Sequence, residues 1–61
     1  MKVYIVFEGE QNEDFCPIAV YKNEKSARAR EKLEEEAYKN DPLRVSNSKY
    51  WFYEGYEVIE E

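Results

Sequence analysis

Four consecutive aromatic residues near the C-terminus, Tyr50-Trp51-Phe52-Tyr53, constrain the fold of this 61-residue chain more than any other feature. Successive side chains of a β-strand point to opposite faces of its sheet, so this run places aromatic rings on both faces. The sequence contains only one helical segment, and one helix can cover only one face. We therefore expect the other face to meet water, a second copy of the chain, or a partner.

The length and composition set limits on the class of protein. The length predicts one small domain, residues 1–61, for which self-association would add stability. Cys16 is the only cysteine and there is no histidine, so neither an internal disulfide nor a thiolate or imidazole zinc site is expected. The apolar run Val3–Phe7 is far shorter than the roughly 20 residues that span a bilayer, and it lacks a signal-peptide pattern. We expect a cytoplasmic protein with no membrane partner.

The first half of the chain has the pattern of a β-hairpin. β-Branched and aromatic residues dominate residues 2–8 and make both alternating faces of this segment apolar, which is typical of a central strand. Residues 8–14 are polar and acidic and predict a turn or short loop. A second strand is predicted over Phe15–Tyr21, and Pro17 places it at an edge of the sheet because proline lacks the backbone donor.

The second half predicts a helix and a third strand. Asn23 is a suitable N-cap for a helix over Glu24–Lys39, which ends before an Asn-Asp-Pro sequence. A connection with little pattern follows over residues 41–49. The third strand is predicted over Tyr50–Ile59, with a bulge or bend at Gly55.

The order strand, strand, helix, strand makes the helix a crossover between the second and third strands. With the most apolar strand in the centre, the sheet order is 2-1-3 and both outer strands run antiparallel to the first. The predicted fold is therefore α+β, a ββαβ arrangement with a three-stranded antiparallel sheet and one helix packed on one face.

The predicted helix has few apolar residues. Ala29, Leu33 and Ala37 form an i, i+4 stripe, in which Leu33 is the only large aliphatic anchor. Basic residues occupy the first half of the helix and glutamates the second, opposite to the preference of the helix dipole. The simplest interpretation is a solvated face with local salt bridges, and the alternative is a docking surface or antiparallel pairing with a second copy.

One helix cannot cover all ten aromatic rings, and a large exposed apolar patch usually marks an interface. We expect Tyr50 and Phe52 to pack inward around Leu33, and Trp51 and Tyr53 to lie on the open face. The interpretations are self-association through that face, a hetero-partner, or a wet face in which tyrosine hydroxyls meet water. The predicted interface residues are Tyr4, Val6, Tyr21, Trp51 and Tyr53.

No catalytic signature is present. The sequence lacks a histidine, a glycine-rich phosphate loop, a nucleophile elbow and metal-ligand spacing. Cys16 has no histidine base and fits a packed thiol better than a nucleophile. Paired glutamates such as Glu8 with Glu10, or Glu54 with Glu57, fit surface charges better than an acid and base pair. We expect no enzyme, no catalytic residue, no cofactor and no metal.

Three stretches carry a resemblance to known sequences. They are the start Met1-Lys2-Val3-Tyr4-Ile5-Val6, the middle Ile18-Ala19-Val20-Tyr21-Lys22-Asn23-Glu24-Lys25-Ser26-Ala27, and the close Tyr53-Glu54-Gly55-Tyr56-Glu57-Val58. Together they resemble small uncharacterised proteins of bacteria and their phages. The resemblance implies a setting in which tiny acidic proteins bind and block host machinery, including antiphage defence, and it transfers no site.

Three functions stay open at this point. The first is a non-enzymatic, homodimeric protein-binding module, in this setting a phage-encoded inhibitor of a host defence protein. The second is an acidic mimic of nucleic acid that occupies a basic groove. The third is a small regulatory domain that binds nucleic acid through basic helix residues and stacked aromatics. The net charge of −5 disfavours a nucleic-acid partner, and it is also an ordinary means of solubility.

Overall fold

The computed structural model describes residues 1–42 and 48–59. Three strands and one helix follow each other as β1 (Lys2–Glu10), β2 (Cys16–Tyr21), α1 (Glu24–Lys39) and β3 (Lys49–Glu57). The strands form an antiparallel sheet in the order β2-β1-β3, with α1 on one face. The predicted α+β fold and its sheet order are confirmed. The connection predicted over residues 41–49 lies partly outside the described residues.

A tight turn joins β1 to β2. The backbone N–H of Glu13 donates to the carbonyl of Glu10 at 3.0 Å, and Asn12 between them has a φ of 70°. Asparagine tolerates this left-handed conformation better than most residues. Regular pairing continues through Gly9 and Glu10 up to this turn, so the first strand is longer than predicted.

The two edges of the sheet differ. On the β2 side, the register shifts between Val6 and Phe7, which pair with Ala19 and Pro17, so that Ile18 is the extra residue of a bulge. Proline is compatible with an edge strand and a bulge, as predicted. On the β3 side, nine consecutive pairs run without a shift. The bulge predicted at Gly55 is wrong.

The helix bounds agree with the prediction, and its caps explain them. The Asn23 side chain accepts a hydrogen bond from the backbone N–H of Lys25 at 2.8 Å, which satisfies one of the free donors of the first turn. At the other end, the N–H of Asn40 donates to the carbonyl of Glu36 at 3.1 Å. Only Ala27 of the helix is fully buried.

The prediction of the inward helix face is wrong. Leu33 is 62% exposed, and Ala29 and Ala37 are exposed beside it. The residues that turn towards the sheet are instead Ala27, Glu31, Glu34 and Tyr38. Their spacing of three and four residues fits one helical face. The structure thus buries an alanine between polar side chains and leaves the large aliphatic residue in water.

The sheet residues under the helix form a small core. Val6 is fully buried at its centre, and Trp51 is 7% exposed. The Trp51 ring packs edge-on against Tyr38, with 5.4 Å between ring centroids, and Tyr4 packs similarly against Tyr53. The accessible surface of 4916 Å² exceeds the roughly 4200 Å² expected for a compact protein of 7.4 kDa. The excess follows from a thin molecule with one sheet face left open.

Candidate protein interface

The open face of the sheet carries a cluster of aromatic rings. Phe7 of β1 stacks on Phe52 of β3, with centroids 4.9 Å apart and planes inclined by 19°. Tyr50 continues the stack at 6.1 Å from Phe52, inclined by 16°. Phe15 and Tyr56 meet Phe7 edge-on at 5.3 and 6.4 Å. We call these five rings the phenylalanine cluster.

The register explains why these rings meet. Phe7 pairs directly with Phe52, and Tyr50 pairs with Gly9 two residues further along β1. A β-carbon built on Gly9 would overlap the Tyr50 ring. Glycine at this position therefore allows the ring to lie flat against the backbone of β1. The stack depends on this close approach.

The cluster is apolar and largely uncovered by the described residues. Tyr56 and Tyr50 are 40% and 42% exposed, Phe15 is 53% exposed, and Val20 on the same face is 61% exposed. Phe7 is 8% exposed, because the surrounding rings cover it. Glu54 is a charged residue on this face. Its carboxylate accepts a hydrogen bond from the Tyr56 hydroxyl at 2.6 Å. This bond raises the pKa of Tyr56.

The helix-covered face holds all five predicted interface residues, which are Tyr4, Val6, Tyr21, Trp51 and Tyr53. The prediction that they lie on the open face is wrong, and so is the expectation that Tyr50 and Phe52 pack beneath the helix. Alternation along a strand divides residues into two sets but does not decide which set meets the helix.

Hydrogen bonds join the helix to two tyrosines of the covered face. The Arg28 and Arg30 side chains of α1 donate to the hydroxyls of Tyr53 and Tyr21 at 3.4 and 3.3 Å. These bonds raise the pKa of each arginine, and Glu34 adds to the effect at Arg30. A polar helix face fits rings that carry a hydroxyl.

Trp51 also has a polar partner on the helix-covered face of the sheet. Its indole Nε1–H donates to the half-buried Glu8 carboxylate at 3.1 Å. Phe7, Phe15 and Phe52, all the phenylalanines of the chain, thus lie on the open face, whereas the tyrosines of the sheet are divided between the two faces, with Tyr50 and Tyr56 on the open one. The lack of a polar atom in phenylalanine is therefore only a partial signal in the sequence, since a hydroxyl does not assign a ring to the helix face.

Other candidate chemistry finds little support in the described residues. No group of three or more of their His, Cys, Asp and Glu side chains is placed to hold a metal ion. Cys16 is exposed at the start of β2, so the expectation of a packed thiol is wrong. Glu8 and Glu54 lie on opposite faces of the sheet, and each accepts a hydrogen bond from an aromatic residue. The helix α1 is too short and too polar to cross a membrane.

Comparison with known proteins finds no family model, no curated protein and no solved structure that matches this chain. The geometry of the phenylalanine cluster is therefore the basis for the functional argument.

Proposed function

We propose that this protein is a non-enzymatic protein-binding module that forms a homodimer through the open sheet face. The observation that carries the proposal is the position of all three phenylalanines on that face. A tyrosine can meet water through its hydroxyl, but a phenylalanine ring has no polar atom to hydrate. The hydroxyls of Tyr50 and Tyr56 can meet water, but Phe15 and Val20 are 53% and 61% exposed and have no polar side-chain atom.

The size of the face favours a weak dimer. Three strands at about 4.8 Å spacing and nine residues at about 3.4 Å each give a face of about 14 by 30 Å. Two facing copies would bury about 800–1200 Å², which is the range of weak or transient interfaces. Because association costs consume much of the gain from burying apolar surface, we expect a dissociation constant in the micromolar range.

The two nucleic-acid functions receive less support. The nearly parallel rings of Tyr50, Phe52 and Phe7 could stack on bases, but Arg28 and Arg30 lie on the opposite side of the sheet and bind tyrosine hydroxyls. A phosphate mimic needs its carboxylates on one surface. The carboxylates of Glu8, Glu54 and Glu34 lie on the two faces of the sheet and on the helix, respectively.

A matched pair of variants tests the dimer. Val20 and Leu33 are aliphatic and 61% and 62% exposed, but Val20 lies on the open face and Leu33 on the outer surface of the helix. We expect Val20→Glu to weaken self-association at least tenfold, and Leu33→Glu to leave it unchanged. Sedimentation equilibrium over a range of concentrations gives both constants. Equal effects of the two variants, or no effect of either, would refute the open face as the interface.

The role of a phage-encoded inhibitor of a host defence protein stays a prediction from the sequence resemblance, and the cytoplasmic location stays a prediction from the single cysteine and the lack of a signal-peptide pattern. If the open face also binds a host protein, that partner competes with self-association. Pull-down from host cells with wild type, Val20→Glu and Leu33→Glu tests this. A specific partner should be lost only with Val20→Glu, and retention of the same partner by all three baits would contradict binding through the open face.

A further inference from the structure

The outer edge of β3 is less protected against strand pairing than the opposite edge of the sheet, because its protective features are limited to the charged side chains Lys49, Glu54 and Glu57. The opposite edge, β2, is six residues long and carries Pro17 and a bulge, which are common protections against strand pairing. β3 is nine residues long, contains no proline and pairs with β1 without a shift. Among the described residues, no strand pairs with its outer side. Such an edge is a template for an added strand.

We propose that a second copy of the chain occupies this edge, pairing β3 with β3 in antiparallel register around a two-fold axis at Tyr53. This register places Lys49 opposite Glu57 of the other copy, twice by symmetry, and each Glu57 carboxylate also lies 3.3 Å from the N-terminal ammonium of its own chain. On the open face it places Tyr50 opposite Tyr56, and on the helix face Trp51 opposite Gly55. Opposite charges and aromatic pairs directly across a ladder stabilise antiparallel pairing.

Neighbouring registers are less favourable. An axis at Glu54 would place the two Glu54 carboxylates directly opposite each other, and like charges in that position destabilise a sheet. An axis at Phe52 would place Lys49 opposite Gly55 and lose the ion pairs. The axis at Tyr53 brings the two Arg28 side chains towards each other. Each of them carries its own counter-ion, Glu24, at 3.5 Å.

The lateral pair would have a six-stranded sheet with both helices on one side. The two phenylalanine clusters would then lie side by side on the other side, since a two-fold axis perpendicular to the sheet preserves its faces. This interface is separate from the open-face dimer. The two together would give a four-chain assembly in which two six-stranded sheets face each other.

The charge pairs allow a test by exchange, performed with Val20→Glu present in every chain to remove the open-face contact. Val20→Glu alone should form the lateral dimer. Adding Lys49→Glu or Glu57→Lys replaces both ion pairs by like charges, and we expect self-association to weaken about tenfold or more. A 1:1 mixture of these two variants restores opposite charges at both positions. It should form a heterodimer with the affinity of the Val20→Glu chain.

Restoration by mixing distinguishes pairing from a loss of folding, because a destabilised chain is not repaired by another destabilised chain. The chain that carries both charge changes should also dimerise.

Hydrogen exchange gives an independent readout: pairing protects successive β3 amides, whereas a free edge leaves alternate amides exposed. Monomeric Val20→Glu with alternating exchange, or no recovery on mixing, would overturn the proposal. If Val20→Glu leaves wild-type association unchanged while the charge variants abolish it, the open-face dimer fails and the lateral one stands.

Discussion

Truncation of Trp51 gives the sharpest test of which aromatic residues form the core. The ring is 7% exposed, packs against Tyr38 and donates to Glu8. Trp51→Ala should therefore cost about 3–5 kcal/mol of unfolding free energy. A 61-residue protein has a total of about 3–9 kcal/mol. We expect this variant to lose a third or more of its stability and to be largely unfolded if the total is at the low end.

Tyr50 provides the control, since it is the neighbouring residue of β3 and its side chain lies on the opposite face of the sheet. It is 42% exposed, and its main intramolecular contacts are with Phe52 and Gly9. Tyr50→Ala should cost about 1 kcal/mol. Urea unfolding followed by far-UV circular dichroism, at concentrations low enough for monomers, measures both. The reasoning is refuted if Tyr50→Ala costs more than Trp51→Ala.

A milder variant separates the hydrogen bond from the packing. Trp51→Phe keeps an aromatic ring under the helix but leaves the Glu8 carboxylate without its indole donor. Hydrogen bonds to charged groups contribute about 1.5–3 kcal/mol, and Glu8 is half-buried, so a loss of about 1–2 kcal/mol is expected. If Trp51→Phe is as stable as the wild type, the bond to Glu8 contributes nothing.

Three further predictions concern pH and the stacked rings. Burial raises the pKa of Glu31, so folding favours the protonated carboxyl. The resulting gain in folding stability is present below the unfolded pKa of about 4.3 and is lost as the pH rises through the folded pKa. Glu31→Gln should therefore unfold at higher urea than wild type at pH 7 and lose that advantage at pH 4. Glu54→Gln should lower the pKa of Tyr56 towards its ordinary value, seen as a tyrosinate absorbance titration compared with Tyr56→Phe, and no change would contradict the hydrogen bond. Gly9→Ala should displace the Tyr50 ring and weaken self-association with little loss of stability, and an unchanged dimer would show that Tyr50 lies outside the interface.

The sequence was sufficient for the architecture because local signals agreed with each other. Asn23 and the residues after Lys39 delimit the helix, and Pro17 assigns β2 to an edge. These features act within a few residues, so each can be interpreted without knowledge of the rest of the fold. The sheet order then followed from the strand with the most apolar residues.

The hydrophobicity of individual residues does not predict which face of this sheet the helix covers. Leu33 and Phe52 are more hydrophobic than Glu31 and Tyr53, yet the structure turns the second pair towards the helix–sheet contact. A helix this rich in charge has no apolar stripe wide enough to cover phenylalanine. It covers Tyr21 and Tyr53, whose hydroxyls accept hydrogen bonds from its arginines, and Trp51, whose indole donates to Glu8 of the sheet.

The division of the rings has an evolutionary consequence. A single oxygen atom distinguishes phenylalanine from tyrosine, and here every ring without it lies on the open side of the sheet, whereas tyrosines lie on both sides. In descendants that keep the interface, we expect positions 7, 15 and 52 to resist gaining a hydroxyl, while positions 21 and 53 keep theirs as long as Arg30 and Arg28 remain. A lineage that had lost its partner would be free to acquire polar substitutions at the first three positions, and would do so before its helix side changed.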